Sequence, residues 1–393
     1  MKKTAKTTGR RRDSGLPLEG IRVVEFSHMV MGPACGLVLA DLGAEVIKVE
    51  PEGKGDPTRH LTSTGAGFFA AFNRNKKSVT LDLATPDGLD LAKRLIGTAD
   101  VFLENFRPGA LDAKGLGYAA LSKVNPQLVY CSLKGFLAGP YERRTALDEV
   151  VQMLSGLAYM TGPVGKPLRA GAPVNDMMGG MFGAIAILAA LRERDRNGKG
   201  QHVQSGLYEN AAWLVSTHLM QHAVTGKAPE PMSAGKRAWG VYDVFQSSDG
   251  VPVFVGVVTE RQWELFTAAL GEKALLDPAY ATNNLRAKAR ETLIPLVAKR
   301  LAGLPIAAIE ALCEKAGLPF ARIQTPSDLF EDAHLNAGGM VEMELPDGKT
   351  TRIPALPVQF GEARPGLRHP LPEPGEHNEE ILRPLGDHLH LKR

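Results

Sequence analysis

The chain has 393 residues, of which 44% are AVILMFWYC and 23% charged, the make-up of an ordinary folded protein of two or three domains. Its 46 Lys plus Arg against 43 Asp plus Glu leave a formal net charge of +3, too balanced for a nucleic-acid binder. No apolar run approaches the ~20 uninterrupted residues that a bilayer span needs, so no membrane partner is expected. Cys35, Cys131 and Cys313 are few and widely spaced in apolar surroundings, which predicts core packing in a reducing, cytoplasmic setting rather than disulfides.

In chain order, residues 1–15 carry Lys2, Lys3, Lys6, Arg10, Arg11 and Arg12 without an apolar stretch. They predict a disordered basic tail, not a secretory signal. A β-branched run at 21–26, helical spacing at 33–42 closed by Gly43, and a second strand-like run at 44–49 make a βαβ unit. The rhythm continues with strands at 78–83, 100–104 and 128–133 and helices at 87–96 and 111–124. The expected fold class is α/β: a large Rossmann-like open parallel sheet, with a smaller α+β domain inserted. The first crossover reads Ser27-His28-Met29-Val30-Met31-Gly32-Pro33-Ala34-Cys35-Gly36, without the three-glycine pyrophosphate pattern, so a nicotinamide cofactor is not implied.

An apolar stretch rich in small residues at 177–191 reads as a buried helix, with Asp176 at its mouth. Asp176 has two compatible readings, an N-cap whose oxygen satisfies a helix N–H and a covalent nucleophile; the helix N-terminus would favour its ionised form. A strand at 202–205 and a helix from 208 to about 224 follow. Residues 225–240 have little periodicity and read as a linker and loop. A hairpin at 241–258, helices at 260–270, 292–301 and 305–312, then strands at 321–324 and 340–344 and a helix at 376–385 complete the chain. The domain expectation is a tail at 1–15, a large domain from 16–224 and 319–393, and a linker with a small domain at 225–318.

His218 and His222 have i, i+4 spacing, but no third ligand and no intervening glutamate accompany them, so no metal is assigned. His28 reads as structural or as part of a ligand wall, since no carboxylate partner is evident in the sequence nearby.

Several separated motifs, in order, resemble the class III CoA-transferases, the formyl-CoA and succinyl-CoA transferase group that includes the α-methylacyl-CoA racemases. They are Leu18-Glu19-Gly20-Ile21-Arg22-Val23-Val24, Asp41-Leu42-Gly43-Ala44-Glu45-Val46-Ile47-Lys48-Val49-Glu50, Asn73-Arg74-Asn75-Lys76-Lys77-Ser78, Glu104-Asn105-Phe106-Arg107-Pro108-Gly109, Gly198-Lys199-Gly200-Gln201 and Pro374-Gly375-Glu376-His377. The resemblance implies a large domain built from both chain ends, a small domain between them, and an interlocked homodimer. It places Asp176 on the family's catalytic aspartate, with Glu149 beside it to position the acceptor or orient Asp176. Coenzyme A, carried as acyl-CoA, would lie against Val30, Met31, Leu81, Asp82, Leu83, Asn105, Phe106, Arg107 and Lys134, and the second substrate would be a carboxylic acid.

The implied reaction moves CoA from a donor acyl-CoA, succinyl-CoA by overall likeness, to an acceptor acid through an aspartyl-CoA thioester. Arg143, Arg144 and Arg169 are candidates for the far carboxylate of a dicarboxylate. Residues 233–240 match the family's active-site glycine loop but are less glycine-dense, so lid and plain linker both stand. The racemases have a histidine where this chain has Leu147, and leucine cannot exchange a proton. A non-catalytic CoA-binding protein is the other alternative.

Overall fold

The computed structural model describes residues 15–234 and 237–386. The basic tail expected at 1–15 therefore lies, apart from Gly15, outside the described residues, as do Gly235 and Lys236 of the candidate lid. Strands β1 (Arg22–Phe26), β2 (Glu45–Glu50), β3 (Lys76–Thr80), β4 (Val101–Glu104), β5 (Val129–Lys134) and β6 (His202–Gly206) form one six-stranded sheet in the order β3-β2-β1-β4-β5-β6. Every pairing is parallel, so this is the doubly wound Rossmann-like order.

Side chains alternate across the sheet, as the two-residue period of a strand requires. Val23, Val46, Val101 and Leu103, with Val129 and Cys131, face the helices Met31–Asp41 and Val174–Asn197. Val24, Ile47, Phe102 and Tyr130 face the opposite layer, which holds the helix Pro86–Gly97. The strand order reverses between β1 and β4, and the crevice beyond the carboxyl ends of these two strands is where open α/β sheets receive ligands.

The helix Val174–Asn197 is longer than the 177–191 expected, because Arg192–Asn197 continue it up to Gly198, whose left-handed conformation ends it at φ 73°. It is long and apolar enough to cross a membrane by length and composition, yet its buried face (Gly179, Gly180, Gly183, Ala184, Ile187) packs in the core of its unit. The helix expected at 208–224 breaks at Val215 into Leu207–Leu214 and Ser216–Thr225. That expected at 111–124 shrinks to Tyr118–Val124, because Gly115 at φ 70° ends a single 3₁₀ turn ahead of it.

The chain divides into two compact units. The first takes the residues up to Thr161, Pro167–Pro229 and those from Ala333 onward. It also holds the hairpin of β10 (Met340–Glu344) and β11 (Thr350–Pro354), of which the sequence pattern reveals only the first strand. The second takes Gly162–Lys166 and Glu230–Asp332. Here β7 (Val241–Gln246), β8 (Pro252–Val257) and β9 (Phe320–Arg322) form an antiparallel sheet. Residues 319–332, grouped with the large domain on sequence pattern, fall instead in this unit, since Phe320, Ala321 and Arg322 pair with β8.

Candidate active site

Asp176 lies in the first turn of the helix Val174–Asn197, not at its N-cap, which is Pro173. The cap comes from another element. Asp148 begins the helix Asp148–Ser155, and its Oδ2 accepts the backbone N–H groups of Asn175 at 2.8 Å and Asp176 at 3.0 Å. Its Oδ1 accepts from the Gln152 amide, whose own oxygen takes the Ala170 N–H at 2.8 Å. Two consecutive amides are thus satisfied by Asp148, and among the described residues nothing hydrogen-bonds to the Asp176 carboxylate itself. The cap reading of Asp176 gives way to one in which its carboxylate is held but not used.

Close packing places this turn. A Cβ on Gly179 would stand 2.5 Å from Met31 Cε, and one on Gly180 2.7 Å from the Met31 carbonyl oxygen. One turn further, a Cβ on Gly183 would stand 2.7 Å from Leu133 and 3.2 Å from Cys35. The two helices therefore run in the same direction with their starts together, and Met31 follows the carboxyl end of β1. Asp176 consequently sits at the carboxyl-end rim of the sheet. At Gly180, where the close atoms are backbone of the facing helix, a larger residue would push the helices apart.

Electrostatics at the rim oppose the sequence expectation. Burial, then the Asp148 carboxylate, then the Glu149 carboxylate push the Asp176 carboxyl up to about 7. Desolvation and like charge outweigh the favourable helix terminus, whose first amides are already taken by Asp148. A carboxylate of that basicity is a stronger nucleophile than an ordinary one and is still largely ionised just above neutrality. Glu149 is half-exposed and pairs with Arg169 at 3.4 Å. The Arg144 guanidinium lies 4.6 Å over the Tyr141 ring, and Arg143 is exposed.

The positions matched to coenzyme A lie on loops along the same rim. Val30 and Met31 follow β1 but are only 1% and 4% exposed, so this turn can present its backbone and the exposed His28 and Met29 to a ligand. Asn105 and Phe106 follow β4. Asn105 is spent on the neighbouring loop: its Oδ1 accepts the His28 N–H at 3.1 Å and its Nδ2 donates to the His28 carbonyl at 2.8 Å. The Phe106 and His28 rings are 5.8 Å apart and His28 is exposed, so its structural and ligand-wall readings both stand. Lys134, at the end of β5, is bound to Glu104 at 2.6 and 2.8 Å and to the Phe106 carbonyl at 2.8 Å, so it fixes the Asn105–Phe106 loop. Arg107 is exposed and borders a polar cleft of about 320 Å³ that also takes in Lys134, Tyr118, Tyr130 and His202.

Leu81, Asp82 and Leu83 follow the edge strand β3. Leu81 is core, Asp82 accepts the Ala84 N–H at 2.9 Å, and the Leu83 carbonyl accepts from Lys114 at 3.0 Å. The rim thus brings together the loops after β3, β1 and β4 with Lys134 and the Asp176 turn. Asp148 is the residue that sequence reasoning misses. Its partners are 27 and 28 positions downstream, and no local spacing announces a cap made across that distance. Among the described residues no group of His, Cys, Asp or Glu has the arrangement of a metal site.

A family model described as CoA-transferase family III matches residues 18–378. A succinate–glutarate CoA-transferase of Agrobacterium fabrum is 34% identical over 386 residues, covering 94% of this chain and 96% of that one. The mouse succinyl-CoA:glutarate CoA-transferase is 33% identical over 379 residues, covering 94% and 87%. Among solved structures, a CAIB/BAIF family protein from Brucella suis superposes with a TM-score of 0.83 at 34% identity, covering 94% of this chain and 100% of that one. A hypothetical protein from Mycobacterium tuberculosis gives 0.81 at 32% identity, covering 93% and 99%. With one model spanning nearly the whole chain and full-length relatives above 30% identity, this chain belongs to CoA-transferase family III and is an enzyme that transfers coenzyme A.

Proposed function

We propose that the enzyme moves coenzyme A from succinyl-CoA to a second dicarboxylate, with Asp176 as the covalent nucleophile and Glu149 as its acidic neighbour. The observation that carries this is a carboxylate on the first turn of a glycine-faced helix at the sheet rim, relieved of capping duty by Asp148. The Asp176 oxygen attacks the thioester carbonyl, a C–O bond forms, the C–S bond breaks, and CoA leaves as thiolate from a mixed anhydride. The thiolate attacks the aspartyl carbonyl and expels the donor as its carboxylate, leaving aspartyl-CoA. The acceptor carboxylate then displaces CoA thiolate, which attacks the acceptor acyl carbon and restores Asp176. One thioester replaces another, so no nucleotide is consumed.

The named activities of the relatives support the dicarboxylate class. So does Arg169, whose guanidinium sits against Glu149 in the neighbourhood of the nucleophile and can exchange that partner for a substrate's far carboxylate. Incubation with acyl-CoA followed by borohydride or hydroxylamine should tag residue 176. Mass spectrometry that finds the tag elsewhere, or finds none, rejects the covalent route.

In this reading the working enzyme is an interlocked homodimer in the cytoplasm, with the large domain formed from both chain ends. Met177, Met181 and Ile185 repeat at one-turn spacing along the nucleophile helix at 39%, 48% and 58% exposure, and Trp213, Leu219 and Met220 are as open, an apolar face that a second copy would cover. The free, buried cysteines fit a reducing compartment. Light scattering that returns a monomer at micromolar concentration rejects the dimer.

A further inference from the structure

We propose that Thr58 is a positioning residue for coenzyme A: it holds the Met29 amide, and the buried Lys48–Asp56 pair anchors it. This rests on the reading that the turn after β1 borders the CoA site. Met29 has φ 64°, a left-handed conformation that a non-glycine residue adopts only under restraint. The restraint is visible at every residue of the turn. The Ser27 carbonyl accepts Lys48 Nζ at 2.7 Å, His28 is clasped on both backbone groups by Asn105, and the Met29 N–H donates to Thr58 Oγ1 at 3.0 Å.

Behind these contacts stands a lattice of buried charge. Lys48 pairs with Asp56 at 2.8 Å, and Asp56 Oδ1 in turn accepts the Thr58 N–H at 2.8 Å. Glu25 takes Lys76 at 2.8 Å and the Ser27 hydroxyl at 2.7 Å. Burial works against ionising Asp56, yet the Lys48 ammonium beside it holds its carboxyl below the usual range. The following helix starts hard against the turn, since a Cβ on Gly32 would stand 2.3 Å from Ser27 Cβ. Among the described residues no side chain caps that helix.

Val30 and Met31 are buried, so the turn offers a ligand its backbone and the exposed His28 and Met29. The Met29 backbone conformation decides how these groups are presented, and Thr58, itself only 2% exposed, holds that conformation without touching the ligand.

Thr58→Val removes the acceptor while keeping the shape. The expected result is a KM for acyl-CoA raised about tenfold, kcat and the acceptor KM changed less than about threefold, and a Tm within about 5 °C of the parent. Thr58→Ser should restore the KM. Hydrogen exchange read at residues 27–31 separates the two layers. In the free protein the Met29 region should exchange faster in Thr58→Val than in the parent; equal exchange, or donor and acceptor KM rising together, overturns the proposal. In the parent, added CoA should slow exchange at the same amides; no slowing there, with faster exchange in the variant, retains the clamp as a fold feature and rejects both the site reading and the role in CoA binding.

Discussion

Both units of the molecule are held by apolar packing, but they differ in the charge they enclose. In the second, Phe266, Leu293, Val297 and Ile309 are fully buried around the β7-β8-β9 sheet, and Arg286 is the charged residue enclosed there among those described, paired at 2.6 Å with the open Glu260. In the first, Glu25, Lys48 and Lys76 are 0% exposed beneath the turn after β1, and burial pulls Lys76 down to about 8 against the opposing Glu25. Apolar packing is non-directional and supplies stability cheaply. Buried ions contribute little net stability, because desolvation offsets their attraction, but their geometry is strict. The costly arrangement lies where a left-handed backbone has to be held at the carboxyl-end rim of the sheet.

The sharpest break should come at the proposed nucleophile. Asp176→Asn is expected to lower transfer by at least ~10³-fold in a succinyl-CoA assay. The same change should raise stability at pH 8. The folded carboxyl sits at about 7, above its unfolded value, so the folded state binds the extra proton and stability falls as pH rises from about 4 to 7. The neutral amide escapes that loss, and its melting curve should diverge from the parent a little at pH 5 and much more at pH 8. Equal melting shifts at both would contradict the raised carboxyl.

Next in size, Phe266→Ala should cost about 3–5 kcal/mol through its cavity. Lys76→Met should cost a similar amount, about 3–5 kcal/mol, by leaving buried Glu25 with only Lys48 at 3.6 Å and the Ser27 hydroxyl. The two differ in repair: Glu25→Leu added to Lys76→Met should recover most of the stability in urea melts, whereas no single neighbour repairs the Phe266 cavity. Failure of that rescue would mean that the lattice stabilises by more than charge pairing.

A smaller effect tests the electrostatics of the rim. The kcat/KM profile should rise with pH through about 7 as Asp176 ionises, and Asp148→Asn, by removing a like charge, should move that limb toward acid by roughly one unit. An unmoved limb would leave burial and Glu149 as the causes. Smallest of all, Arg94→Ala breaks an exposed i, i+4 pair with Asp90 and should change stability by no more than ~0.5 kcal/mol.

The alternation of strand and helix runs was legible throughout the parallel sheet because both sheet faces are buried, so each strand shows as an apolar run bounded by polar turns. Boundaries failed where one glycine acted alone, as at Gly115 and Gly198. β9 was legible as a strand but not as a partner of β8, since pairing across more than 60 positions leaves no local mark. At the site, Asp176 and the rim loops could be named from motifs. The clasp of Asn105 on His28 and the capture of Lys134 by Glu104 could not, because a polar side chain in a loop motif reads the same whether it faces a ligand or a neighbouring backbone.

What the sequence by itself determined is the order of elements, the glycine face of the long helix and the residue types offered at the rim, because periodicity and side-chain volume are local properties. Tertiary structure alone decided that Asp148 rather than Asp176 caps that helix, that Asp176 consequently sits near 7, and that Thr58 holds Met29. These depend on charges and amides brought together from distant positions, where desolvation and through-space attraction, not chain spacing, set the outcome.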